Sequence, residues 1–199
     1  MKLRSRAANA AAMTAALLCC TGTGALLTAC APVVVAAGVG AGVMVATDRR
    51  TTAAQVDDES IELRIASEAD RRWSGAHLNA TSFNGIVLLT GEAPSTAVQD
   101  EITASVKGQE HVRMVQSEMT VGEAADMKSR TNDTYLTGAV KSRLAESSPA
   151  LAKHVKVVTE RSVVYLMGLV TTDEGSTAGH VAASTSGVAR VVKIFEYTN

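Results

Sequence analysis

Three cysteines carry the side chains most able to do chemistry in this chain, and all three lie within its first thirty residues. A cysteine attacks an electrophile or binds a metal as the thiolate. Cys30 follows Leu, Thr and Ala at residues 27–29, so small residues lead directly into it. Cys19 and Cys20 instead follow a leucine and a cysteine, neither of which is the small residue that a cleavage site requires. Cys30 is therefore the candidate for covalent modification.

The residues before Cys30 have the order of a bacterial secretion signal: a basic start, an apolar stretch and small residues. Residues 27–30 resemble the lipobox of bacterial lipoproteins. The resemblance implies that residues 1–29 are a signal peptide and that Cys30 carries three acyl chains, more than the two that stable anchoring takes. The alternatives are a signal peptide cut elsewhere or an uncleaved transmembrane helix, although two glycines and a proline interrupt the apolar stretch.

The charge of the processed chain argues against nucleic acid as a partner. Cleavage before Cys30 removes three of the 19 basic residues and none of the 20 acidic ones, which leaves a formal net charge of −4. A net negative chain lacks the basic surface that phosphate backbones require. Aromatic residues make up only 3% of the chain, too few for a platform on which bases stack.

No other motif predicts catalysis, a cofactor, a metal or a small-molecule substrate. Residues 175–179 imitate a nucleophile elbow, but Thr177 is at the centre and the pattern is helical. Gly175 and Gly179 predict that this helix is short or frayed. The four histidines are dispersed without metal-ligand spacing, and two of them are expected at the surface where equivalent strands begin: His77, His111, His154 and His180.

A repeat follows a short tether. Residues 31–46 are mostly Val, Ala and Gly and are too few to span a membrane, which predicts a flexible tether. Asn84 and Gly85 lie between two apolar runs, the strongest short-range signal of a β-hairpin. A second pair of apolar runs surrounds residues 160–162. The second strands of the two hairpins carry Gly91 and Gly168, 77 residues apart.

Helical patterns surround both hairpins. Asp57 and Asp58 are predicted to cap the helix before the first hairpin, and Asp133 the equivalent helix before the second. Acidic side chains at a helix start also favour the helix dipole. A second helix is expected near Pro94 in one copy and near Thr172 in the other, each followed by a last strand. Both copies therefore have the order α-β-β-α-β.

This order, with a G-x-x-x-V step at residues 108–112 and 187–191, resembles the BON domain. Two copies behind a lipobox resemble the dual-BON-domain outer-membrane lipoproteins of Gram-negative bacteria. The resemblance implies an α+β fold with two tandem domains, each a three-stranded mixed sheet with two helices packed on it. The expected boundaries are a signal at 1–29, the lipidated cysteine and tether at 30–54, domain 1 at 55–122, a linker at 123–131 and domain 2 at 132–199.

The two copies differ in charge. Copy one, residues 57–121, has 11 acidic and 5 basic residues, a formal −6. Copy two, residues 133–199, has 6 acidic and 7 basic residues, a formal +1. Only copy two could approach an anionic lipid surface without strong repulsion. Its basic residues are predicted to supply the attraction: Lys141, Arg143, Lys153, Lys156 and Arg161.

The first helix of copy two offers a candidate contact face. Its apolar residues Leu136, Val140 and Leu144 are expected to pack on the sheet. Tyrosine suits a headgroup interface because its ring is apolar and its hydroxyl is polar. The alternative is that the tyrosine is partly buried at the helix start. The opposite side of the helix carries the predicted phospholipid-binding residues: Tyr135, Gly138, Lys141 and Ser142.

The resemblance implies a non-enzymatic lipoprotein on the periplasmic face of the outer membrane. Sorting to that membrane is supported by Ala31, which follows the cysteine in place of the Asp that favours inner-membrane retention. The resemblance also implies phospholipid binding by a BON domain and support of outer-membrane integrity. The expected function is contact with anionic phospholipid through copy two. The alternative is a periplasmic adaptor that contacts envelope-assembly or division proteins, with the lipid anchor as its one membrane contact.

Overall fold

The computed structural model describes residues 48–198, so the signal, Cys30 and most of the tether lie outside the described residues. Copy one is built from two helices, a hairpin and a last strand in two short pieces. In chain order they are α1 (Thr52–Arg72), β1 (His77–Phe83), β2 (Ile86–Ala93), α2 (Thr96–Lys107), β3 (Met114–Ser117) and β4 (Thr120–Val121).

Copy two repeats this order with one additional short helix. In chain order the elements are α3 (Met127–Ser147), α4 (Pro149–His154), β5 (Val155–Glu160), β6 (Val163–Val170), α5 (Thr172–Ala183) and β7 (Arg190–Tyr197). Helix α4 begins with the proline at its first position and Ser148 as its cap, a combination that favours helix initiation. The predicted α+β fold with two small mixed sheets is confirmed. None of the helices in residues 48–198 is long and apolar enough to cross a membrane.

The middle strand of each sheet is the second strand of a hairpin. β2 pairs antiparallel with β1 and parallel with β3 and β4. β6 pairs antiparallel with β5 and parallel with β7. The parallel pairs require a crossover, which α2 and α5 provide. Both copies therefore have the same topology.

The acidic residues predicted as helix caps have a different role. α1 begins after Thr51 and α3 after Asp126, whose side chains accept the capping hydrogen bonds. Asp58 and Asp133 lie seven residues into these helices and are buried. The prediction that these two aspartates and Asp57 cap the helices was wrong, because each helix starts about two turns earlier than the apolar pattern indicates.

Asp58 and Asp133 instead hold the two hairpin turns. The Asp58 carboxylate accepts hydrogen bonds from the backbone N–H groups of Asn84 (2.7 Å) and Gly85 (2.8 Å). Asp133 accepts them from the backbone N–H groups of Arg161 and Ser162, both at 2.8 Å. A buried helix residue therefore fixes the tip of the following hairpin in each copy.

The turn of copy two is the more strained. Arg161 and Ser162 have φ of 48° and 62°, in a region that residues with a side chain rarely adopt. The equivalent turn of copy one has Asn84 and Gly85 there, which adopt positive φ readily. The two hydrogen bonds to Asp133 therefore offset strain that the sequence of this turn does not relieve.

Replacing Asp133 with alanine should lower the free energy of unfolding by about 2–3 kcal/mol, because the two turn N–H groups lose a charged acceptor. Urea denaturation of the purified protein measures the change. Asp173, an exposed acidic residue in the first turn of α5, supplies the control variant Asp173→Ala. Equal losses in the two variants would show that the turn does not depend on the buried carboxylate.

Helix α5 is complete through both of its glycines, so the prediction of a short or frayed helix was wrong. A capping box formed by Thr171 and Glu174 opens it. A Cβ at Gly175 would lie 2.9 Å from a ring carbon of Tyr197, so a larger residue would push the helix away from β7. The helix contains glycine here because it packs closely on the sheet.

The last residues of the predicted tether contact both domains. Arg49 donates to Glu174 at 2.6 Å and to the Leu169 carbonyl at 3.0 Å. The Arg49 guanidinium and the backbone N–H of Thr171 lower the pKa of Glu174 to about 2. Arg50 donates to Asp58 and lies 4.0 Å from the centre of the Phe83 ring.

Each domain has its own core between sheet and helices. In copy one it is formed by alternate residues of β2, including Val87 and Leu89, with Ile61, Ile65 and Ile102 from the helices. In copy two the equivalent cluster is Val140, Leu144, Val164, Leu166 and Ala178.

The opposite faces of the two sheets form a third core. Phe83, Ile86 and Leu88 of copy one pack with Tyr165 and Met167 of copy two, and Ile194 completes the cluster. β2 is consequently buried along its whole length. All three cores lie within residues 48–198, so a fragment that begins near residue 47 contains every core residue.

Opposite charges surround this sheet-on-sheet core. Lys156 lies 2.8 Å from Glu62, and Arg161 lies 2.6 Å from the buried Glu92. Both basic residues belong to copy two and both carboxylates to copy one. Lys156 and Arg161 were predicted to attract lipid, but in the structure they form ion pairs with the other domain. The different net charges of the two copies are therefore explained in part by attraction between acidic residues of copy one and basic residues of copy two.

Candidate functional site

The side of α3 that faces away from the sheet is exposed along its length. Leu136, Val140 and Leu144 are buried beneath the helix. Tyr135 is 70% exposed, which excludes the alternative of a partly buried residue at the helix start. The other three residues predicted on this side are exposed as well: Gly138, Lys141 and Ser142.

The early start of α3 adds two residues that the sequence did not indicate. Met127, 75% exposed, and Lys128 lie in the first turn of the helix, within the segment predicted as a linker. At about 100° per residue, one side of the helix within roughly a quarter turn carries Met127, Thr131, Tyr135, Gly138 and Ser142. We call these residues, with Lys128 and Lys141 at their edges, the α3 face. Asp126, a good capping residue, was the signal that could have revealed the first turn.

The two lysines of the α3 face are free to meet a partner. Within residues 48–198 neither Lys128 nor Lys141 forms an ion pair or a side-chain hydrogen bond. Arg143, which was also predicted to attract lipid, donates to the Ser184 carbonyl at 2.6 Å and holds α3 against the end of α5. Glu146 is at the far end of the helix, 3.4 Å from the Ser142 hydroxyl. The face combines exposed apolar side chains with unpaired positive charge.

The two histidines expected at the surface where strands begin, His77 and His154, are both partly buried, and His154 is the last residue of α4. His77 is partly buried, and its Nδ1 lies 3.3 Å from Oε2 of the buried Glu92. Glu160 of copy two approaches the same place, and burial raises the pKa of its carboxyl group. Thr177 lies exposed within α5 and is not at a strand-to-helix corner, so no nucleophile elbow forms there.

The sequence matches the BON domain twice, at residues 57–123 and 132–199. The chain belongs to the BON domain family. Both matches include the turn-holding aspartate, the hairpin and the crossover helix of one copy.

Relatives of known name share most of the chain. The outer membrane lipoprotein DolP of Haemophilus influenzae is 40% identical over 169 residues, 82% of this chain and 88% of that protein. The 21 kDa hemolysin of Actinobacillus pleuropneumoniae is 33% identical over 75% of this chain and 79% of its own length. The osmotically inducible protein Y of Escherichia coli K12 is 28% identical over 68% of this chain and 70% of its own length.

These relatives confirm the recognition of a dual-BON-domain outer-membrane lipoprotein and its location in a Gram-negative bacterium. None of the three names describes an enzyme. The BON domain of copy two carries the α3 face on its first helix. The lipidation of Cys30 and the roles of Tyr135, Gly138, Lys141 and Ser142 stay predictions.

Proposed function

We propose that this BON-domain lipoprotein is anchored through lipidated Cys30 and that the α3 face of its second domain contacts anionic phospholipid headgroups, in support of outer-membrane integrity. The observation that carries the proposal is the exposure of Met127 and Tyr135 between Lys128 and Lys141, two exposed lysines that form no ion pair with any residue between 48 and 198. Isolated exposed apolar residues are common, but two large ones on one side of a single helix with flanking cations suit a headgroup interface.

Gly138 supports the proposal for a separate reason. Nothing lies within 4 Å of the position that a Cβ would occupy there, and its φ is not in the left-handed region. Packing therefore does not require glycine, although glycine in a helix interior costs about 1 kcal/mol relative to alanine. A flat position beside Tyr135 would let the helix backbone approach a lipid surface closely.

Fewer basic residues are available to attract lipid than the sequence suggested. Arg143, Lys156 and Arg161 make contacts within the protein, which leaves the α3 face with Lys128 and Lys141. Each cation near an anionic leaflet contributes about 1 kcal/mol. Two such residues with two apolar side chains give weak, salt-sensitive contact, which is sufficient for a protein that its acyl chains already hold at the membrane.

The adaptor alternative loses part of its support. It depends on the acidic charge of copy one, yet Glu62 and Glu92 pair with copy two. Glu118 lies 3.4 Å from Arg190 of copy two as well. Cross-linking in intact cells separates the two functions, since one dominant protein partner bound through copy one would favour the adaptor.

In vesicle flotation, the unlipidated fragment 47–199 should bind anionic vesicles more strongly than neutral ones, and more strongly at low salt than at moderate salt. The double variant Tyr135→Ala, Lys141→Glu removes an interfacial ring and reverses one charge. We expect it to lose about 2 kcal/mol of binding free energy, or roughly thirtyfold in affinity.

The matched control makes the same kinds of change on copy one. Leu63 is exposed on α1 and Lys107 is exposed on α2. The variant Leu63→Ala, Lys107→Glu should float as the unmodified fragment does. Equal affinities in all three proteins would exclude the α3 face, and no binding by the unmodified fragment would leave the acyl chains as the sole membrane contact and favour the adaptor.

A further inference from the structure

Three side chains that could bind a metal meet where the two domains join. His77 is at the start of β1, Glu92 is near the end of β2, and Glu160 is the last residue of β5 in the other domain. One ligand atom from each lies within 4.8 Å of the other two. The sequence does not indicate this group, because its members are 15 and 68 residues apart and belong to three strands.

Two polar atoms in the group face each other but make no hydrogen bond within residues 48–198. Glu92 is 1% exposed, and its Oε2 makes no hydrogen bond with any residue between 48 and 198. His77 Nδ1, 3.3 Å away, is also buried without a hydrogen bond there. Buried carboxylate oxygens are almost always hydrogen-bonded or bound to a cation. Glu92 Oε2 is therefore a position where a bound cation would be favourable.

The neighbouring donors are already used by the other carboxylate oxygens. Arg161 Nε donates to Glu92 Oε1 at 2.6 Å, and Asn79 Nδ2 donates to Glu160 Oε2 at 3.1 Å. Two carboxylates thus meet beside the Arg161 guanidinium, and Oε2 of Glu92 has no hydrogen-bond donor among residues 48–198. A cation bound at Glu92 Oε2 would balance the charge of the second carboxylate.

We propose that His77, Glu92 and Glu160 bind one divalent transition-metal ion, and that Zn²⁺ fits best. An imidazole nitrogen with two carboxylate oxygens is a ligand set that Zn²⁺ accepts, with water at the fourth position. Mg²⁺ and Ca²⁺ prefer sets made of oxygen alone and usually more numerous. A cavity of about 260 Å³ lined by His77, Asp133, Thr137 and Glu160 gives space for water and a route for the ion.

The ion would join the two domains, since two ligands come from copy one and the third from copy two. Copy two lacks the equivalent site. Its histidine at the same position is His154, and the residue that corresponds to Glu92 is Leu169. The site thus depends on how the two domains meet and is not a general property of the repeat.

The test uses the full chain in detergent micelles, with its thiols alkylated so that cysteine cannot bind the ion. Isothermal titration with Zn²⁺ should give one saturable site per chain, and Zn²⁺ should raise the midpoint of thermal unfolding. Mg²⁺ at the same concentration should do neither. Absence of saturable Zn²⁺ binding would overturn the proposal.

Two variants locate the site. Glu160→Gln keeps an oxygen to accept from Asn79, and His77→Gln removes the imidazole; each should weaken Zn²⁺ binding at least tenfold. His180→Gln, which removes an exposed histidine on α5, should bind as the unmodified chain does. Circular dichroism without Zn²⁺ checks that each variant is folded, and if His77→Gln is not, Glu160→Gln decides alone.

A surface site is the competing explanation. His111 Nδ1 lies 3.4 Å from Asp57, and its Nε2 lies 3.4 Å from Glu110, all three side chains being well exposed. If His111→Gln abolishes binding while Glu160→Gln leaves it unchanged, the ion binds at the surface and the inter-domain site is excluded.

Discussion

The variant Gly91→Ala should lose most of the stability of the protein, with a decrease of about 4 kcal/mol or more in the free energy of unfolding. Gly91 has a φ of 106°, which a residue with a side chain rarely adopts. A Cβ at this position would overlap the backbone carbonyl oxygen of His77 on the paired strand. β2 is buried along its whole length and cannot shift, so the start of β1 would have to separate from it. Urea denaturation followed by circular dichroism measures the loss.

Two other glycines provide comparison variants for the stability loss of Gly91→Ala. Gly75 has no atom within 4 Å of its Cβ position and no positive φ, so Gly75→Ala should change stability by less than about 0.5 kcal/mol. Gly168 also approaches a histidine carbonyl, that of His154, but without a positive φ. Gly168→Ala should therefore fall between the two. The steric explanation fails if Gly91→Ala unfolds at the same urea concentration as Gly75→Ala.

The hairpins could be predicted because their signals are local. Asn84 and Gly85 require a turn between two apolar runs, and the 77-residue spacing of Gly91 and Gly168 relates the two copies. Three of the four long helices follow from apolar residues at helical spacing, and α5 follows from the capping residues near Thr172. In each case the residues that determine the element are within about twenty positions of one another, so sequence pattern is sufficient.

The role of the buried aspartates could not be predicted because their partners are distant in the chain. Asp58 reaches a turn 26 residues later, and Asp133 reaches one 28 residues later. An aspartate before an apolar pattern looks the same whether it caps a helix or lies within one. The true caps, Thr51 and Asp126, lie in polar stretches where no apolar spacing indicates where the helix begins.

The candidate site was predictable in part for the same reason. Helical spacing was enough to place Tyr135 and Lys141 away from the sheet, whereas Met127 and Lys128 were missed with the first turn of α3. The contacts of Lys156 and Arg161 form only because the two sheets pack against each other. An apolar strand in the sequence does not show what will cover its second face. The sequence gives the charges of these two residues, but it does not show that carboxylates of the other domain neutralise them.

Met167 tests that docking directly, because it is fully buried between the two sheets. The variant Met167→Lys removes its apolar contacts and places a charge in a core without an acidic partner among its members. We expect the free energy of unfolding to fall by about 4 kcal/mol. The hydrodynamic radius should increase as the sheets separate, which analytical gel filtration measures in the same samples.

The control Met114→Lys makes the same change on β3, where the methionine is 47% exposed, and should cost less than about 0.5 kcal/mol. Each domain has only about 65 residues, so neither buries enough apolar surface to be very stable alone. If the domains depend on one another, Met167→Lys unfolds in one early transition; if each is stable by itself, a second transition remains near the original midpoint. An unchanged midpoint and radius would mean that the two sheets do not form a shared core in solution.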